Sequence, residues 1–224
     1  TLILINMFLG KKNRYLKKLF EFISELKKSH ANEYQRFKED LIKNYSYDIM
    51  NKHISNLNEY VQGYDQFNQL LLYVTKDKAI SQKMHASSKD FNLVKMFYGN
   101  LFEYVSANYI IPACLNNIYN NRPYDIFESM DLKKYLTLKK ANRANPFINN
   151  LVFKELHECI DSTIRNSSHH GAIRLTNDTN IIEYRSGDEG NWKAMKYSDY
   201  LYKCNEIMIV SMYMLAMHIF ILES

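Results

Sequence analysis

The sequence predicts an all-α protein: a helical bundle with a small β-hairpin inserted before its last helix. Three observations predict it. Only six Gly and three Pro interrupt 224 residues, so helix breakers are sparse. Between those breakers, apolar residues recur at three- and four-residue steps, the period of an amphipathic helix. The rest of the chain is rich in Leu, Lys, Asn, Tyr and Met, which leaves few breakers and favours helices. Hydrophobic content of 46% and aromatic content of 14% are those of a globular chain with enough material for a proper core.

In chain order, Leu16, Leu19, Phe20, Ile23 and Leu26 form an apolar stripe that predicts a helix over Asn13 to Lys28, with Lys17, Lys18, Lys27 and Lys28 on its other faces. Tyr34, Phe37, Leu41 and Ile42 predict one over Asn32 to Asn44. Ile49, Met50, Ile54 and Leu57 predict another over Tyr47 to Tyr60, before Gly63 interrupts. Phe67, Leu70, Leu71 and Val74 continue the pattern from Gln66 to Val74. Between Thr75 and Asp90 the spacing loosens to a loop or a short helix. A strong helix is expected over Asp90 to Tyr109, and Pro112 forces a kink or break after Ile110-Ile111, because proline lacks the amide donor. Asn116 to Pro123 reads as a turn, Asp131 to Lys140 as a short basic helix and Asn142 to Pro146 as a loop. Phe153, Leu156, Ile160 and Ile164 predict a helix over Phe153 to Ile164, leading into Arg165-Asn166-Ser167-Ser168-His169-His170-Gly171. Gly171 is the expected stop, since glycine takes the left-handed position after a helix without strain. Ile181 to Arg185 and Trp192 to Tyr197 read as the two strands of the hairpin. A helix opening at Ser198-Asp199 and running to about Leu222 closes the chain.

Composition limits the function classes. A net charge of +5 is compatible with a polyanionic partner without requiring one. Cys114, Cys159 and Cys204 are scattered, with neither a disulfide framework nor zinc-site spacing. No phosphate-binding glycine loop, dinucleotide fingerprint or Gly-x-Ser-x-Gly elbow is present. Thr1 to Leu9 is apolar but lacks the flanks of a signal peptide, and Thr1 in place of Met points to a natural start further upstream. The apolar run Ile207 to Leu222 is interrupted by Ser211, Tyr213 and His218 and is shorter than the roughly 20 residues of a membrane span. It reads as a core helix of a soluble, cytoplasmic protein with no membrane partner.

The chemistry-bearing stretch is Arg165 to Gly171. An arginine is permanently charged and its planar fork can hold two phosphate oxygens, while a histidine titrates close to neutral pH and suits proton transfer. RNA carries its own nucleophile, the 2′-hydroxyl, so such a pair could cleave it without a metal. The plainer readings are that Arg165 pairs with Asp161 one turn earlier, at a few tenths of a kcal/mol, and that His170 beside Gly171 satisfies a helix end. His157 and Asp161 share a four-residue spacing, but no third ligand suggests a metal site.

Arginine, a polar residue, three further residues, histidine and glycine, followed by a hairpin and a last apolar helix, resembles the signature of HEPN domains. The resemblance covers roughly Asn150 to the C-terminus. It implies a helical bundle of HEPN type, with 121–224 as the HEPN-like region and 1–120 as a helical region that partly belongs to the same core. It implies a metal-independent endoribonuclease, of toxin or antiphage-effector type, with Arg165, His170 and Asn166 as catalytic residues, His169 in a supporting role and neither cofactor nor metal. The implied partners are RNA, a second copy of the chain that faces its motif across a shared cleft, and an antitoxin or sensor. The alternative is a helical module that keeps the scaffold to dimerise or to bind nucleic acid or protein without cleaving.

On an ideal helix, at about 100° per residue, His169 lies about 40° around the axis from Arg165 and His170 about 140°. The family pattern nevertheless points to His170. That choice expects the helix to loosen near Ser167-Ser168, or His170 to meet the arginine of a second chain.

Overall fold

The computed structural model describes residues 9–81, 83–176, 180–187 and 189–224, so most of the apolar Thr1–Leu9 stretch lies outside the described residues. The architecture is mostly helical with a small antiparallel sheet. Helix α1 spans Asn13–Ser29 and buries Leu16, Leu19, Ile23 and Leu26, as their spacing predicts. Helix α2 (Ala31–Phe37) runs through a π-helical turn (Lys38–Ile42) into α3 (Lys43–Gln62). The two helices expected over this stretch are therefore nearly continuous. The buried stripe of α3 is Ile49, His53, Asn56 and Tyr60, whereas Ile54 is exposed. The helical period holds there, but two polar residues occupy the inner face that the apolar pattern had assigned elsewhere.

Helix α4 (Tyr64–Thr75) follows at Gly63, and no helix or strand forms over residues 76–81 and 83–90. Helix α5 (Phe91–Asn108) is capped by Asp90, whose carboxylate accepts from the Leu93 amide. The break expected at Pro112 falls at Tyr109, and Pro112 sits in the first turn of α6 (Ile110–Tyr119), where its missing amide costs nothing. The turn expected from Asn116 begins only at Asn120. Asn116 and Asn117 are buried inside α6, and their amides donate to the carbonyls of Pro146 and Tyr124. Helix α7 (Leu132–Leu136) is the short basic helix.

The Phe153–Ile164 segment is not one helix. It divides into a 3-10 turn (Leu151–Phe153), a single turn α8 (Lys154–His157) and, after an irregular link, α9 (Ser162–His169). Asp161 causes the restart. Its side chain accepts from the amides of Thr163 and Ile164, satisfying donors that a continuous helix would have paired internally.

Strands β1 (Ile173–Thr176), β2 (Ile181–Tyr184) and β3 (Lys193–Lys196) form a meander in the order β1-β2-β3. The hairpin read from the sequence is β2-β3, with Ile182 opposite Met195; β1 is an addition, with Ile173 opposite Tyr184. The last helix, α10 (Tyr197–Glu223), lies against α1, α3, α4 and α5. It is long and apolar enough to cross a membrane, yet 78% of its most apolar window is buried within this chain, as befits a core helix. Its hydrophobic faces are covered by neighbours in the same chain. One apolar cluster runs from Leu9 to Ile221 and spans residue 120 without interruption.

Candidate functional site

Helix α9 carries the motif and is held from three directions. Its first turn is tied by the Asp161 cap, and the Asp161 amide in turn donates to the hydroxyl of Tyr98 on α5 at 3.0 Å. Ile164 is fully buried. Ser167 and Ser168, also buried, turn their hydroxyls back onto the carbonyls of Thr163 and Ile164, so they occupy the inner face without leaving polar atoms unpaired. The helix therefore stays regular through both serines. It ends at His170, whose amide still bonds to the Asn166 carbonyl at 3.0 Å, and Gly171 follows with φ of 71°. Loosening near Ser167-Ser168, one of the two ways expected to bring His170 beside Arg165, does not occur.

Arg165 and Asn166 are brought together. The arginine Nη1 donates to the Asn166 Oδ1 at 2.9 Å, and the other end of that amide donates to Ser186 in the β2-β3 turn at 3.1 Å. Asn166 thus fixes the arginine fork from the sheet side. The rest of the fork meets a residue that the motif does not contain. Glu103 of α5 accepts from Arg165 Nε at 2.6 Å, with Nη2 at 2.5 Å from the same oxygen. Its second oxygen pairs with Lys140. Burial opposes ionisation of Glu103, but the Lys140 hydrogen bond and the charges of Lys140 and Arg165 outweigh it and hold the carboxyl below its ordinary range. Two cations share one anion, leaving a formal excess of one positive charge. Arginine has five N–H donors, and these contacts leave hydrogens on both Nη atoms without a partner among the described residues.

The Arg165–Asp161 pair suggested by their spacing is replaced by Arg165–Glu103, since Asp161 is occupied as a helix cap. The ring of His169 lies over Gly99 of α5: a Cβ added at Gly99 would fall 2.7 Å from His169 Nε2. His170 is exposed at the helix end. Among the described residues neither histidine hydrogen-bonds Arg165, and on this regular helix His170 lies about 140° around the axis from it, so a single chain joins the arginine and asparagine but places His170 on another face. His157 and Asp161 are separated by the helix break, and His157 packs edge-on against Phe147, with ring centroids 5.9 Å apart.

Glu103, Lys140, Gly99 and Ser186 were not identified from the sequence. One signal was present. Gly99 lies inside a helix, where a glycine costs stability and so points to a packing reason; Glu103 lies one turn further on that face. Among the described residues, no group of three or more His, Cys, Asp and Glu side chains converges to hold a metal. A cleft of about 750 Å3 lies between α1, the end of α4 and α10, is lined by mixed charges such as Lys12, Lys18, Glu155 and Glu206, and includes none of the motif residues.

No family model matches this chain, and no curated protein or solved structure matches it.

Proposed function

We propose that the chain is a metal-independent endoribonuclease of HEPN type, acting as a toxin or antiphage effector. The observation that carries this reading is the Arg165–Asn166 hydrogen bond, which holds a half-buried guanidinium in fixed orientation on the helix whose end carries the exposed His169 and His170. In this mechanism Arg165 neutralises charge as it builds on the scissile phosphate. His170 transfers the proton between the 2′-hydroxyl and the leaving 5′-oxygen, and Asn166 holds the arginine. The separation of His170 from Arg165 within one chain supports a cleft completed by a second copy, with each His170 serving the other chain's Arg165. The covered faces of α10 lend nothing to dimerisation, so the shared cleft alone motivates the dimer.

A second reading has its own observation. In the Arg165–Glu103–Lys140 array the charge of the arginine is already paired within the chain, as it would be in a helical module that binds nucleic acid or protein without cleaving.

RNA cleavage in the presence of EDTA separates the two readings. The ribonuclease should cut with chelator present, leave a 2′,3′-cyclic phosphate and run as a dimer by light scattering. His170→Ala should abolish cleavage in a folded protein, and His169→Ala should retain a substantial part of it. Cleavage restored only by magnesium would overturn the mechanism, and the reverse ranking of the two histidines would move the proton-transfer role to His169.

A further inference from the structure

The small sheet turns one face to the core and the other outward. Ile173, Ile182 and Tyr184 are buried on the inner face, so strand alternation puts Arg174, Glu183 and Arg185 on the outer one. Tyr184 pairs with Lys193, and the same register carried one step further sets Trp192 beside Arg185 on that outer face. Trp192 is the chain's one tryptophan, and it is 49% exposed. Both arginines are laid against its ring. The guanidinium carbon of Arg174 lies 5.1 Å from the ring centroid and that of Arg185 5.0 Å.

Packing alone accounts poorly for this arrangement. A large aromatic side chain left half in water forgoes much of what its burial would contribute. Two guanidiniums held on one ring also repel each other. Glu183 accepts from Arg174 Nε at 2.7 Å and offsets one of those charges. The Arg174 side chain is nevertheless 67% exposed, and its two Nη atoms have no partner among the described residues. An accessible indole with guanidinium planes against it suits single-stranded nucleic acid. A base stacks on the ring or on the arginine planes, and the neighbouring phosphates meet the cations. The face is also continuous with the motif: Ser186, the residue after Arg185, accepts from the Asn166 side-chain amide at 3.1 Å, and Asn166 holds Arg165.

We propose that the outer face of the sheet, centred on Trp192 with Arg174 and Arg185, is the platform for the single-stranded RNA that flanks the bond held at Arg165. The placement rests on the RNA-cleaving reading and extends it. A strand leaving the motif past Ser186 stacks a base on the tryptophan–arginine array and lays its phosphates along Arg185 and Arg174. Such a platform selects single strands over duplexes, because the bases of a duplex are already stacked on one another and cannot splay onto a side chain. The motif residues alone do not supply that preference.

The test uses the full chain, with a single-stranded RNA dodecamer, the same sequence as a blunt duplex, and polyglutamate as probes. The variants Trp192→Ala, Trp192→Phe and Arg174→Gln all lie on the exposed face, outside the proposed cleaving residues. The dodecamer should quench the fluorescence of the single tryptophan and bind folded Trp192→Ala at least fivefold more weakly than wild type. Trp192→Phe, which keeps a ring, should retain most of the affinity, and Arg174→Gln should lower the salt slope of binding by about one. The duplex should bind more weakly and leave the fluorescence unchanged. Dodecamer binding that neither quenches Trp192 nor weakens in Trp192→Ala overturns the platform, and so does a duplex that binds as tightly as the single strand. Polyglutamate that competes as strongly as the dodecamer would make this a face for an acidic protein and overturn its assignment to RNA. Cleavage by Trp192→Ala with the KM of the wild type sinks the platform and leaves the ribonuclease standing. Trp192-dependent RNA binding without any cleavage does the reverse, and a wild type that binds no RNA overturns both.

Discussion

Glu103 decides what Arg165 is free to do. A guanidinium paired to a carboxylate has already used part of its charge, so a phosphate must compete with Glu103 or replace it. Glu103→Gln keeps an acceptor for Lys140 and Arg165 but removes the negative charge. Losing the charge from this partly buried array should lower stability by about 1–2 kcal/mol. It should also tighten RNA binding several-fold at low salt and steepen its salt dependence, because two cations are released toward phosphate. Denaturant melts and binding isotherms on the same preparation check both. A variant that loses stability with no gain in RNA binding would mean that the array does not face RNA.

At the scale of the element, α9 exists as a separate helix because Asp161 restarts the chain. Periodicity alone joined Phe153 to Ile164, since it registers apolar spacing and ignores which residue caps a new first turn. Asp161→Ala should cost about 1 kcal/mol by freeing the Thr163 and Ile164 amides, whereas Asp161→Asn should cost only a few tenths. Hydrogen exchange should place the loss in α9 first. Equal losses for the two variants would mean that the carboxylate acts through charge and not as a cap. The motif and the cap therefore belong to one short unit, clamped onto α5 through Gly99 and Tyr98.

At the scale of the whole molecule, two histidines are built into the core as neutral residues. His53 and His218 are almost wholly buried, and burial lowers each to about 4. His218 bonds Ser46 at 2.7 Å, and His53 lies against the Tyr104 ring. As pH falls through about 6.5 the unfolded chain takes up a proton at each, while the folded chain does not until about 4. The unfolded state then carries more protons, so stability is full above about pH 6.5 and drains as pH falls toward 4, by about 3 kcal/mol for each histidine. Thermal melts from about pH 7 to pH 4.5 should show a falling Tm, and His53→Phe should make the slope shallower. An unchanged slope in a folded His53→Phe protein would mean that His53 is not held neutral.

What the sequence determined by itself is the local part of this protein. The helices α1, α4, α5 and α10, the β2-β3 hairpin and the stop at Gly171 follow from spacing, breakers and turn residues, all of which act over a few neighbours. Arg165 and Asn166 were identifiable for the same reason: they are adjacent. Only the tertiary structure decided what they touch. Glu103 lies 62 residues from Arg165 along the chain, and no spacing rule reaches that far. The buried polar face of α3 and the third strand are likewise settled by packing between distant segments, where burial overrides local pattern.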